Sequence, residues 1–106
     1  MAGYAVGLLH DVDLNDDITA YLERIDDTLA PFSGRFIIHG GAPDVREGEF
    51  RQTMIVIEFP DTEAASAWYE SAPYQAILPM RTANAQGVVF VIDGVDADHR
   101  ATDVLP

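Results

Sequence analysis

Four short runs rich in β-branched and aromatic residues alternate with helical runs in the order strand, helix, strand, strand, helix, strand. The first, Gly3 to His10, is apolar on both faces and carries the small residues Ala5 and Gly7, which suits a buried central strand. Leu14, Ile18, Tyr21, Leu22, Ile25 and Leu29 then recur on one helical face. Asp13 or Asn15 is placed to cap that helix, Asp16 and Asp17 favour the positive end of its dipole, and Pro31 and Gly34 end it. Arg35 to His39 and Thr53 to Phe59 read as the second and third strands, separated by a loop from Gly40 to Arg51 rich in Gly, Pro and charge. Asp61 is placed to cap a helix over Thr62 to Glu70. Ser71-Ala72-Pro73 breaks it and starts another, which runs through Tyr74, Ile77 and Leu78 to Arg81, with Pro79 disturbing its last turn. Gly87 to Asp93 is the fourth strand, and Gly94 stops it. Residues 1–95 read as one domain, and 96–106 as an acidic tail without periodicity, either a mobile terminus or an arm crossing to a second copy.

This order predicts an α+β fold: an antiparallel four-stranded sheet with two helices on one face, the ferredoxin-like βαββαβ arrangement. Helices cover only one sheet face, yet strand positions pointing both ways are apolar. Ile55 and Ile57 alternate with Met54 and Val56, and Val88, Phe90 and Ile92 with Val89 and Val91. A bare apolar face of that size calls for a partner, and a homodimer with its two sheets facing each other is the simplest one.

Composition removes several classes of function. Six Arg, no Lys and 18 acidic residues give a net charge of −12. That charge repels phosphate backbones and anionic lipid, so neither nucleic acid nor a membrane surface is an expected partner. The absence of Cys excludes disulfides, thiol catalysis, iron–sulfur clusters and thiolate zinc sites, and the absence of Lys excludes a lysine Schiff base. No apolar run approaches the roughly 18 residues of a membrane span, and no basic segment precedes an apolar one at the N-terminus, so a cytoplasmic location is expected. Asp11-x-Asp13-x-Asn15 opens like a calcium loop, but Asp16 stands where Gly is needed and Leu22 where Glu is needed. His39-Gly40-Gly41 faintly resembles an oxyanion-hole loop, without any Gly-x-Ser-x-Gly elbow. No dinucleotide, P-loop or zinc-protease motif is present, so no cofactor or metal is expected.

Strand alternation selects the candidate site. Phe36 and Ile38 suit the helix-covered core, which turns Arg35 and His39 towards the space between two paired sheets. Met54, Val56 and Glu58 point the same way from the third strand, and Tyr4, Val6, Leu8 and His10 from the first. The expectation is an apolar cavity in the dimer barrel with Arg35, His39 and Glu58 as its catalytic groups. Tyr4, His10, Met54, Trp68 and Tyr74 complete the set that would contact a substrate. Several have a plainer alternative: Arg35 and Glu58 as an ion pair, His39 and His10 bonded to backbone, Trp68 as core, and Tyr74, placed to close over a pocket mouth, as simple packing.

The run Gly34-Arg35-Phe36-Ile37-Ile38-His39-Gly40-Gly41 resembles the second-strand block of the domain-of-unknown-function family 1330. Val56-Ile57-Glu58-Phe59-Pro60, the Ala67-Trp68-Tyr69-Glu70-Ser71 block with Tyr74-Gln75, and Arg81 before the last strand resemble the same family, in the same order up to Val95. The resemblance implies a dimeric α/β barrel, in a superfamily that also holds cofactor-independent monooxygenases, decarboxylases, isomerases and haem-degrading proteins. His39 and Thr53 stand where family members usually carry Arg, although Arg51 lies two residues before Thr53; a titratable imidazole thus replaces a permanent charge. Two functions stay open. One is a metal-free enzyme acting on a small organic substrate by monooxygenation, isomerisation or decarboxylation. There, His39 would serve as acid–base group, Arg35 as oxyanion or carboxylate holder and Glu58 as orienting group. The other is a non-catalytic ligand-binding or interaction module whose barrel is filled by its own side chains. Cavity volume separates them, since a ligand site needs roughly 300 Å³ or more.

Overall fold

The computed structural model describes every residue from Met1 to Pro106. In chain order it contains β1 (Gly3–His10), α1 (Asp16–Leu29), a 3-10 turn (Ala30–Phe32), β2 (Arg35–His39) and β3 (Thr53–Phe59). There follow α2 (Thr62–Glu70), α3 (Ala72–Thr82), β4 (Gln86–Asp93) and a 3-10 turn (Ala101–Val104) in the C-terminal segment. The strands form one antiparallel sheet in the order β2–β3–β1–β4, the ferredoxin-like α+β fold expected from the sequence. β1 pairs with β3 on one side and β4 on the other, which accounts for its continuous apolar sequence.

One core joins the helices to one sheet face. Tyr21, Ile25 and Leu29 of α1 and Trp68, Tyr74 and Ile77 of α2 and α3 pack against Ala5, Ile57 and Phe59. The opposite face is uncovered: Val88, Phe90 and Ile92 are 55%, 42% and 50% exposed. At its β4 side the sheet depends on a glycine. Gly87 has φ of 138°, and a Cβ there would run into the Leu8 carbonyl oxygen, so no side chain fits this approach of β4 to β1.

Polar caps fix where the helices begin. Of the two expected caps for α1, Asn15 takes the position: its Oδ1 accepts from the Ile18 amide at 3.1 Å. The Asn15 Nδ2 donates to Asn84 Oδ1 at 2.6 Å, tying the start of α1 to the turn after α3. Leu14 therefore lies just before the helix, and it is 82% exposed instead of belonging to the buried stripe. Asp61 caps α2 through the Ala64 amide at 2.8 Å. Ser71 ends α2 and caps α3, donating to the Trp68 carbonyl at 2.7 Å and accepting from the Tyr74 amide at 3.4 Å. α3 continues through Pro79 to Thr82.

The expected alternation fails in β2. Arg35 pairs with Glu58 and Phe36 with Ile57, but Ile38 pairs with Val56 and His39 with Ile55, so one extra residue sits in a β-bulge at Ile37. Beyond the bulge the faces exchange. Ile38 points to the uncovered face, and His39 shares the helix-covered side with Phe36, its ring stacked on Phe36 at 4.4 Å between centroids and 13° between planes.

Candidate functional site

The bulge moves the candidate site from one side of the sheet to the other. A cavity of about 380 Å³ lies between α1 and the sheet within a single subunit, not in the space between two sheets. Small residues make the room: Ala5, Gly7 and Ala85 form part of its wall, with Ile18, Ile25 and Ile55 opposite and beside them. Its rim includes Leu14, Leu22, Gly40 and the exposed His39.

At the helix end, three polar side chains break the apolar wall. Tyr21 comes from the buried face of α1, while Tyr74 and Arg81 lie seven residues apart on α3 and so share one face two turns apart. The Tyr21 and Tyr74 hydroxyls are 2.7 Å apart, with the two rings edge to face. Burial first, then the Tyr74 hydroxyl, pushes the Tyr21 phenol well above its ordinary range, with Arg81 acting the other way. Tyr21 therefore remains a hydrogen-bond donor at neutral pH. Burial also works against the Arg81 charge, but the Tyr74 and Tyr21 oxygens beside the guanidinium outweigh it and hold the charged form.

Trp68 supplies a ring to this wall and no free donor. Its Nε1 donates to Thr28 Oγ1 at 2.9 Å, and that hydroxyl donates onward to the Ile25 carbonyl at 2.6 Å. The α2–α3 break sets the Tyr74 ring 4.1 Å from that of Trp68 and 5.5 Å from that of Tyr69. Aromatic surface thus surrounds the hydroxyl pair on the α2–α3 side.

The residues selected from the sequence divide between the two faces. His39, Trp68 and Tyr74 line the cavity. Arg35 and Glu58 are on the uncovered face and paired with each other, Arg35 donating to Glu58 Oε1 from Nη2 at 2.8 Å and Nε at 3.1 Å. Tyr4 lies opposite Glu58 on that face, and Met54 lies over a separate hollow with Ile38 and Phe50. His10 ends the same row, its Nδ1 bonded to Asp11 at 2.8 Å. The expected grouping of His39 with Arg35 and Glu58 is therefore corrected: the sheet stands between them. Tyr21 and Arg81 are the polar residues at the helix end of the cavity that were not selected. Their signal was spacing, Tyr21 on the buried stripe of α1 and Arg81 in phase with Tyr74. No group of His, Asp or Glu side chains is arranged to hold a metal ion, and no helix is long and apolar enough to cross a membrane.

Comparison with known proteins agrees with this fold. A protein of unknown function from Rhodopseudomonas palustris, RPA0582, superimposes with a TM-score of 0.67 at 12% identity, covering 90% of this chain and 83% of that one. A dimeric ferredoxin-like protein of unknown function from Jannaschia sp. CCS1 gives a TM-score of 0.60 at 23% identity, covering 91% of this chain and all of that one. No curated protein matches the chain. The family model for the domain of unknown function DUF1330 matches residues 2–95, so the chain belongs to the DUF1330 family.

Proposed function

We propose that this protein is a small enzyme that binds a compact, mainly apolar organic molecule inside each subunit and moves a proton on it. The observation that carries this reading is the cavity of about 380 Å³ with the Tyr21–Tyr74 hydroxyl pair set in its apolar wall. Its volume is in the range of small-ligand sites, and convergent polar groups in an apolar hollow are the usual composition of such sites. A protonated Tyr21 beside Tyr74 and Arg81 can donate to a carbonyl oxygen and stabilise the charge that develops there. His39 at the rim is the one imidazole lining the cavity and takes the role of proton acceptor. The uncovered sheet face, with Val88, Phe90 and Ile92 exposed, supports pairing with a second copy.

The test uses 2-tetralone, a flat, apolar ketone with exchangeable protons beside its carbonyl. Base removes a C1 proton, the carbonyl oxygen becomes an enolate oxygen held by the phenols, and a deuteron from heavy water returns to C1. NMR in heavy water is expected to show exchange at least tenfold faster than in buffer, with most of the gain lost in His39→Ala. Binding of 2-tetralone at the background exchange rate would replace the enzyme with a ligand-binding protein. Absence of binding would end both readings.

A further inference from the structure

Arg81 has no carboxylate partner in a chain with three times as many acids as arginines. The ion pairs of the structure join His10 to Asp11, Arg35 to Glu58, Arg46 to Asp44, Arg51 to Glu49 and His99 to Asp103. Arg24 and Arg100 also lack an acid but are exposed to solvent, whereas Arg81 is half-buried without one. A charge drawn into an apolar hollow is costly unless an opposite charge meets it. The last turn of α3 is a favourable place for a cation, but the helix dipole does not require the side chain to line the cavity.

We propose that the cavity is a site for an organic monocarboxylate, a flat apolar acid whose carboxylate lies on Arg81 beside the Tyr21–Tyr74 hydroxyl pair. This rests on the cavity being a small-molecule site and adds the chemical class of the molecule. A guanidinium offers a carboxylate two parallel N–H donors, and the phenol whose O–H is not used in the Tyr21–Tyr74 bond supplies one further donor. Trp68 and Tyr74 present aromatic surface for the body of a planar acid. The net charge of −12 narrows the class further. One favourable contact on Arg81 can overcome the repulsion felt by a single negative charge, and each further charge meets only repulsion, so phosphates and dicarboxylates are poor ligands.

Calorimetric titration of the full-length protein with 2-naphthoate and its neutral isostere 2-naphthamide tests the assignment. The expected result is that naphthoate binds at least tenfold more tightly than naphthamide. Arg81→Gln should remove that preference by weakening naphthoate at least tenfold more than it weakens naphthamide. Arg81→Lys, which keeps the charge without the fork, should retain a smaller preference and serves if the Gln variant does not fold. Equal affinities in the wild-type protein would overturn the monocarboxylate and leave the small-molecule site standing. A preference for naphthoate that survives both substitutions would assign the anion to another cation and overturn the role of Arg81. Failure of both compounds to bind would overturn the cavity reading and this one with it.

Discussion

Replacing Tyr21 by Phe removes one oxygen from the centre of the cavity and almost nothing else. The ring still fills its place and keeps its edge-to-face contact with Tyr74 at 6.1 Å. What is lost is the 2.7 Å hydroxyl contact, and Tyr74 is only 2% exposed. An orphaned buried hydroxyl costs about 1–3 kcal/mol; the Arg81 guanidinium beside the hydroxyls offsets part of that, which places the expected loss near 1.5 kcal/mol. For a domain of this size that is a fall in Tm of roughly 6–12 °C. Calorimetry at one fixed protein concentration should compare wild type, Tyr21→Phe, Tyr74→Phe and the double variant. Removing the second hydroxyl after the first should cost less than removing it alone, with a coupling energy of about 1 kcal/mol. Additive losses, or a Tyr21→Phe melting temperature within about 2 °C of wild type, would refute the hydroxyl pair as a buried unit.

Other perturbations follow from the same geometry. Burial raises the Tyr21 pKa in the folded state, while the unfolded phenol ionises near its ordinary value of about 10. The phenol's contribution is therefore complete below pH of about 10 and lost as pH rises further, and alkaline titration of Tm should show a shallower fall in Tyr21→Phe. Asn15→Ala removes the α1 cap and the link to Asn84 together, and urea unfolding should show a loss of about 1–2 kcal/mol. Gly87→Ala forces a Cβ against the Leu8 carbonyl at a φ of 138°, and should lower stability by about 2 kcal/mol or more with faster hydrogen exchange along β1 and β4. Phe90→Asp places a charge on the uncovered face, and sedimentation should find a dimer for the wild type and a monomer for the variant.

The elements were legible because each has a local cause. Ser71-Ala72-Pro73 announces the break between α2 and α3, and Asp61 the start of α2, and both the break and the Asp61 cap form as expected. The facing of β2 was not legible. Ile37 and Ile38 are both β-branched and apolar, and nothing in Arg35 to His39 says which residue will be left unpaired; the register with β3 decides it. The position of the cavity was hidden for a related reason. Leu14 and Leu22 carry the periodicity of core residues, yet they border a hollow, because the space beneath them depends on the small side chains of β1. Arg81 was visible as part of a family block, but its isolation from every acid is a property of three-dimensional pairing.

The sheet works as a partition. On β3, Ile55 and Ile57 belong to the cavity side, while Met54 and Glu58, interleaved with them, belong to the outer side. A mutation at one position of this strand therefore changes a different property from a mutation at the next. On the proposed reading, recognition of a small molecule and pairing with a second copy drift separately within one short stretch of sequence. Relatives could keep the same assembly while exchanging ligands, or keep a ligand while changing partners, without rebuilding the fold that carries both.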